Sequence, residues 1–452
     1  MRFIDRRDFL RATAVGAAGL ASWRSLGAKP QTAGSAKDLN AKLRLAAIGN
    51  GGKGQDDLQS ISASPRVEVV ALCDVDSSHE HLGWAAEKFP KAAKFNDYRR
   101  LMDKANTFDA VSVSTPDHMH APIALAAIAL GKHVFCQKPL AHCVLEARQM
   151  REAADRHKVV TQMGNQIQST SQYRNGVQLV HDGAIGKVKE VHSWQAGPMD
   201  WLVTETRPKE SDPVPPTLKW DLWLGVAPVR PFKKGLYQPW YWRAWQDFSS
   251  GQLGDFGCHI LDPVFMALDL TAPRTIEAEA PPLNKETWAR KSKVKYTFPG
   301  TKYTAGDEVV VTWYDGKGHM PKPTDVGLDD KHELPGAGSA FVGEKGTMVL
   351  HHFGDPPKLY PKEKFADYKM PTLGDINHYT SWAHACLGDG TTHSNFDYSG
   401  PLTETVLLGA IAIRFPKEQL LWDGKAMEFT HHADATARLT KEYRKGWALP
   451  KA

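Results

Sequence analysis

The feature that most constrains this chain is a six-residue apolar run, Leu43 to Ile48, that leads straight into Gly49-Asn50-Gly51-Gly52-Lys53-Gly54. The run has the length of a strand buried on both faces of a parallel sheet. The residues after it satisfy G-x-G-x-x-G. In that pattern the first glycine permits a tight turn, the second lets phosphate approach the backbone, and the third lets a helix pack on the strand. A helix opening there turns its unpaired N–H groups and the positive end of its dipole toward a pyrophosphate. Alone the motif is weak, but its surroundings agree with it. Val67 to Leu72 reads as a second apolar strand, followed by Cys73-Asp74. Asp74 stands 20 residues beyond Gly54, where a carboxylate grips ribose hydroxyls. No Arg or Lys follows directly, and a carboxylate repels a 2′-phosphate. The expected cofactor is therefore NAD rather than NADP.

Further units follow in alternation. Ala110 to Ser114, His133 to Cys136 and Val159 to Met163 read as strands; Pro122 to Leu130 and Glu146 to His157 read as helices. This predicts an α/β fold whose first domain, residues 42–165, is a doubly wound parallel sheet of the Rossmann type. Such sheets bind ligands beyond the carboxyl ends of their strands. Thr115-Pro116-Asp117-His118-Met119-His120 and Gln137-Lys138-Pro139 both sit there. The expected cofactor contacts are thus Gly49, Asn50, Gly51, Gly52, Gly54 and Asp74 on one side, and Thr115, Pro116, His118, His120, Gln137 and Lys138 on the other. His118 and His120 form an H-x-H pair, but no third and fourth ligand lies at readable spacing, so no metal site is expected. A histidine lining the nicotinamide pocket is the preferred reading. His351-His352 and His431-His432 have no such context and read as surface residues.

A chain of 452 residues favours two domains. The net charge of +5 is concentrated at the start. Arg2, Arg6, Arg7, Arg11, Arg24 and Lys29 oppose only Asp5 and Asp8 within the first 36 residues. The remainder is close to neutral and offers no basic stripe for nucleic acid. Five cysteines in no C-x-x-C pair read as buried apolar thiols.

The segment Asp5-Arg6-Arg7-Asp8-Phe9-Leu10-Arg11, with the mild apolar stretch Ala12 to Ser22, resembles a bacterial twin-arginine signal over residues 1–36. Asp5 stands where that signal usually has Ser or Thr. The expectation is export of the folded protein by the twin-arginine machinery to the periplasm. Free NAD is not expected there, so the cofactor should be tightly held and restored at each turnover. No run of about 20 apolar residues follows, so no transmembrane helix is expected.

Together with Gly164-Asn165-Gln166, Gly251-x-x-x-Asp255-x-x-x-His259, Ser394-Asn395-Phe396-Asp397 and Pro401-Leu402-Thr403-Glu404, these motifs resemble the Gfo/Idh/MocA oxidoreductases, from about residue 42 to 430. The resemblance implies a second domain, residues 166–452, that is α+β with an open mixed sheet, and an active site between the domains. It also implies Lys138, Asp255 and His259 as the catalytic group. One departure stands out: the usual Glu-Lys-Pro reads Gln137-Lys138-Pro139 here. Gln cannot pair as an ion with Lys138, and loss of an acid should lower that lysine's pKa.

Oxidising a secondary alcohol needs a base for the hydroxyl proton and an acid on the return. Asp255 and His259 are spaced i, i+4, on one helical face. Imidazole suits the proton carrier; Lys138 suits a relay and positioner, and Asp255 a substrate binder. Asn165 and Gln166 join the substrate side. Seven of the 14 tryptophans fall in a proline-rich stretch from Trp194 to Trp245, by way of Trp201, Trp220, Trp223, Trp240 and Trp242. Most should pack loops or a subunit contact, with Trp242 and Arg243 the candidates at the substrate. The expected function is an NAD-dependent oxidoreductase acting on a sugar or cyclitol hydroxyl. The alternatives are a redox-neutral NAD-dependent glycosidase and a catalytically silent binding module. An open sheet also predicts a homo-oligomer.

Overall fold

Six short strands build the first layer: β1 (Leu43–Ile48), β2 (Val67–Cys73), β3 (Ala93–Phe95), β4 (Ala110–Val113), β5 (His133–Cys136) and β6 (Thr161–Met163). They lie in the order β3-β2-β1-β4-β5-β6, all parallel, in a computed structural model that describes residues 41–197 and 206–450. The expected signal, residues 1–36, and Trp201 lie outside the described residues. Parallel strands with both faces covered should be apolar throughout. β1 shows it: Leu43, Leu45 and Ala47 enter one core, and Ala46 and Ile48 the other. Helices α1 (Lys53–Ser62), α2 (His120–Ala129) and α3 (Val144–His157) supply the crossovers.

The second layer is a nine-stranded sheet. Its strands are β7 (Val188–Gln195), β8 (Thr275–Glu279), β9 (Ser292–Pro299), β10 (Glu308–Asp315), β11 (Ala337–Gly343), β12 (Thr347–His351), β13 (Lys358–Tyr360), β14 (Gln419–Asp423) and β15 (Glu428–Thr430). The order is β13-β12-β11-β7-β10-β9-β8-β14-β15. Only the β7–β10 pair is parallel among these, so the sheet is mixed, as expected. One face packs on α4 (Ser171–His181), α5 (Gly251–Ile260) and α6 (Asp262–Leu268). On the other, Trp194, Tyr314 and Ala340 are covered by Val326 and Leu328 from the loop after β10.

Two later helices join the layers. Helix α7 (His378–Cys386) belongs by position to the second half but covers the first sheet, with Trp382 against Phe135 and Leu45. Helix α8 (Phe396–Ala412) lies between α3 and α5. The Asn395 side chain caps it by accepting the Tyr398 N–H at 3.2 Å, so the helix starts well before Pro401 and runs through it. Among the described residues no helix is long and apolar enough to cross a membrane. All five cysteines are buried and free.

Candidate active site

The glycine turn is shaped as its spacing requires. Gly49 has φ 81°, and a Cβ there would stand 2.4 Å from the Ser114 carbonyl oxygen. A Cβ on Gly54 would stand 2.0 Å from the Gly49 carbonyl oxygen, so only glycine lets α1 seat on β1. Gly51 differs from expectation. Its open side is filled by the His81 imidazole, which a Cβ would meet at 2.3 Å. Asn50 is fully buried and positions the turn rather than lining the cleft. Its N–H donates to Asp74 Oδ2 at 2.7 Å and its amide to the Cys73 carbonyl at 3.0 Å.

One cleft of about 820 Å³ runs from this turn to the face of the second sheet. Gly49, Gly51, Gly52 and Asp74 line one end; Thr115, Pro116 and Gln137 line the middle; Lys138, Asp255, His259, Gln166, Trp242 and Arg243 line the other. The residues present fit a dinucleotide. Asp74 Oδ1 accepts the Asp76 N–H and keeps a lone pair for a hydroxyl, while Oδ2 accepts the Asn50 N–H and has His81 Nδ1 3.7 Å away. The Thr115 hydroxyl is buried with no partner among the described residues.

At the far end Lys138 Nζ donates to Asp255 Oδ1 at 2.5 Å and to the Asp255 carbonyl at 2.7 Å. Arg243 Nε stands 3.3 Å from the same carboxylate oxygen, and its guanidinium lies over the Trp242 ring at 4.2 Å. Burial opposes ionisation of Asp255, but Lys138 and Arg243 outweigh it and hold the carboxyl well below the usual carboxylate range. Burial and the Lys138 charge push His259 well below its ordinary value, and its Nδ1 has no partner among the described residues. Asp117, buried at the same end, is pushed up to about 7 by burial and by Asp255.

The Gln137 departure has a local explanation. Its amide Nε2 donates to Asp57 Oδ2 at 2.8 Å, while Ser114 Oγ donates to the same oxygen at 2.8 Å and Lys53 pairs with Oδ1 at 2.8 Å. Position 137 therefore faces a buried carboxylate, and the partner of Lys138 is Asp255. The expectation that Gln137 changes the charge balance of Lys138 is corrected accordingly. Gln137→Glu would set two carboxylates together in a buried site. It is expected to lower stability by about 3 kcal/mol, with Asp57→Asn restoring most of the loss, read as denaturant midpoints of the single and double variants.

Three further expectations are corrected. His118 and His120 do not line the cleft. His118 is fully buried between Trp223 and Phe248, with Nε2 at 3.2 Å from the Trp223 carbonyl. His120 lies between the carbonyls of Pro139 and Thr115, 2.7 Å from each, and ties together the loops after β5 and β4. Asn165 is buried behind the cleft, donating to Asp262 Oδ2 at 2.9 Å. Conversely, His352 is not a surface residue. It is buried on the cleft wall, 5.7 Å from His259 between ring centroids. Its Nδ1 bonds the Tyr173 hydroxyl at 2.8 Å and its Nε2 has no partner among the described residues. Burial, then Lys138, brings it down to about 3. Nothing in the spacing around His351-His352 marked it. Most of the tryptophan-rich stretch packs on itself, while Trp223, Trp240 and Trp242 reach the cleft. No group of three or more His, Cys, Asp or Glu among the described residues is placed to hold a metal ion.

Comparison with known proteins follows the same lines. Residues 43–165 match the NAD-binding Rossmann fold of the GFO/IDH/MocA oxidoreductase family, and residues 168–317 match the family's C-terminal alpha/beta domain. An alpha-N-acetylgalactosaminidase of Shewanella oneidensis is 30% identical over 230 residues, 46% of this chain and 50% of that protein. A levoglucosan dehydrogenase of Pseudarthrobacter phenanthrenivorans is 26% identical over 200 residues, 44% of this chain and 42% of that protein. The chain thus spans about half the length, or less, of these curated relatives. The WlbA dehydrogenase from Chromobactrium violaceum, solved with NADH and UDP-GlcNAcA, shares the fold with a TM-score of 0.60 at 15% identity, covering 86% of this chain and 99% of that one. The two consecutive family matches, and a cleft in which the glycine turn and Asp74 face Lys138 and His259, place this chain in the GFO/IDH/MocA oxidoreductase family, with an NAD-binding Rossmann domain at its head.

Proposed function

We propose that this protein moves hydride between NAD and a ring hydroxyl of a sugar or cyclitol, and keeps its cofactor bound from one turnover to the next. The observation that carries this reading is the meeting of Lys138, Asp255, Arg243 and His259 in the cleft that begins at the glycine turn. NAD, when bound, supplies the hydride acceptor or donor. The chain supplies the proton and the positioning. Lys138 has three N–H donors; two go to Asp255, and the third is left for the reacting oxygen. Asp255 stays ionised as the anchor of both cations. Both approach Oδ1, and Oδ2 is left to accept from a substrate hydroxyl. The His259 imidazole, on the cleft wall, takes the hydroxyl proton during oxidation and returns it during reduction.

The pH dependence follows from this role. Burial and Lys138 keep His259 neutral across the range where a free histidine titrates, so it stays able to accept a proton. The pH profile of kcat/KM for oxidation is expected to lack the acid limb near pH 6.5 that an unperturbed histidine gives. A limb at that pH that disappears in His259→Asn would contradict the assignment.

The substrate class is supported by the aromatic side chains Trp240, Trp242 and Phe353 on the cleft wall, since ring faces suit sugar rings. A second reading is favoured by the relatives named alpha-N-acetylgalactosaminidase and glycosyl hydrolase family 109 protein. In it, oxidation of a ring hydroxyl acidifies the neighbouring C–H. Elimination cleaves the glycosidic bond, water adds, and the hydride returns. One experiment addresses both readings. The purified protein is given free hexoses and inositols with NAD, watched at the nicotinamide absorbance, and p-nitrophenyl glycosides without added NAD. Reduction of NAD supports the first reading; nitrophenol release without net NADH supports the second. Silence in both panels, with cofactor bound, favours a binding module.

The proposal extends to export through Arg6-Arg7 and to a homo-oligomer. Cell fractionation of the Arg6→Lys, Arg7→Lys variant and light scattering of the purified protein test these two points.

A further inference from the structure

The end of the cleft over β1–β3, lined by Asp74, is where the adenosine of a bound dinucleotide would lie. The Rossmann strands alone do not close that end. Two segments from beyond the Rossmann strands return to wall it. The first is residues 215–225. Leu218 bridges Asp76, Ser77 donates its N–H to the Thr217 carbonyl at 3.0 Å, and Lys219 donates its N–H to the Val75 carbonyl at 2.8 Å. The second is the last stretch of the chain, fastened at several points. Leu145 donates its N–H to the Leu439 carbonyl at 2.9 Å. Lys441 and Tyr443 meet the buried Glu146 at 2.9 and 2.8 Å. Arg444 pairs with Asp221 at 2.7 Å and donates its N–H to the Val226 carbonyl at 3.1 Å.

These fastenings carry Trp447 into the cleft wall beside Tyr98 and Leu222. Its indole is buried, with the Arg99 guanidinium 4.1 Å and the Arg444 guanidinium 5.1 Å from the ring centroid. Arg99 is itself held by Asp97 at 2.7 Å, so the ring is braced from the Rossmann side as well. Trp447 lies beyond both stretches that match the family.

We propose that Trp447 is a cofactor-binding residue that closes the adenosine end of the cleft, and that the tail carrying it slows the release of NAD. An indole held under two guanidiniums is a rigid apolar wall rather than an open stacking face, and apolar contact with a purine at such a wall is favourable whatever the base. A dinucleotide walled in at that end leaves only when the tail or the 215–225 segment opens, which acts on the dissociation rate. The inference rests on the NAD reading of the cleft and deepens the proposal of a retained cofactor.

The test uses the full-length protein loaded with NADH and chased with excess NAD, following nicotinamide fluorescence with time. Trp447→Ala is expected to release NADH about tenfold faster than the unaltered chain, and Trp447→Phe within about twofold of it. A chain ending at Lys445 carries the same test, with the same expected acceleration, should Trp447→Ala not fold. Release at the unaltered rate from whichever of these is folded overturns the proposal while leaving the NAD reading intact. Failure of the unaltered protein, freed of any nucleotide it carries by unfolding and refolding, to take up NADH overturns both.

Discussion

Lys138→Met is expected to lower turnover by at least about a thousandfold while the protein still binds NADH. Methionine keeps the apolar stem but removes every donor. The reacting oxygen then loses the one N–H that Lys138 does not give to Asp255. Removing a single donor at a developing oxyanion costs about a hundred- to a thousandfold, and losing a relay for the proton adds to it. The variant should fold. Asp255 would keep Arg243 at 3.3 Å, so its buried carboxylate is not wholly orphaned and the loss of stability stays below the roughly 3–5 kcal/mol of an unpaired buried charge. Turnover on an active substrate and NADH binding by fluorescence are measured together. A variant keeping more than about a tenth of the original turnover would remove Lys138 from the chemistry.

The second large effect concerns the turn itself. Gly54→Ala places a Cβ 2.0 Å from the Gly49 carbonyl oxygen and 2.8 Å from its carbon, both backbone atoms that cannot swing aside. Helix α1 must lift off β1, and the N–H groups at its start lose their aim. The expected result is at least about a hundredfold weaker NADH binding and about 3 kcal/mol less stability. Gly52→Ala is the comparison. Nothing lies within 4 Å of its Cβ position, and only its φ of 52° resists substitution. With ψ at −119° the position lies outside the left-handed helical region, so the change costs about 1–3 kcal/mol and should leave binding within about tenfold. Similar losses from the two variants would mean that helix seating is not what the third glycine provides.

How much of this was legible in the sequence depends on the range of the interaction. The Rossmann strands were, because burial on both faces writes itself as a short apolar run, as in Leu43 to Ile48. The i, i+4 pair of Asp255 and His259 was, because one helix carries both. His118 and His120 misled because H-x-H looks the same whether the imidazoles face a ligand or a wall. The wall that buries His118 is Trp223 and Phe248, more than a hundred residues away. His352 was hidden for the converse reason. It follows the end of β12, and only packing of α4 brings Tyr173 to its Nδ1 and sets it beside His259. Gln137 read as a lost charge because the family motif directs attention to the adjacent lysine. The side chain that answers it, Asp57, stands on the first helix. In each case the missing information was a long-range neighbour rather than a local preference.

The return of residues 378–386 to the first sheet bears on how the protein is made. Trp382 covers Phe135 there, and His378 accepts from Gln162 through its carbonyl and reaches the Met163 carbonyl with Nε2 at 2.8 Å. The nucleotide half emerges first from the ribosome; α1 covers part of this face with Leu58 and Ile61, yet the part at Phe135 stays uncovered until that late helix is synthesised. Residues 42–165 expressed as a fragment would keep that face open to aggregation. A nascent chain would need a chaperone, or simply speed, to cross the same interval.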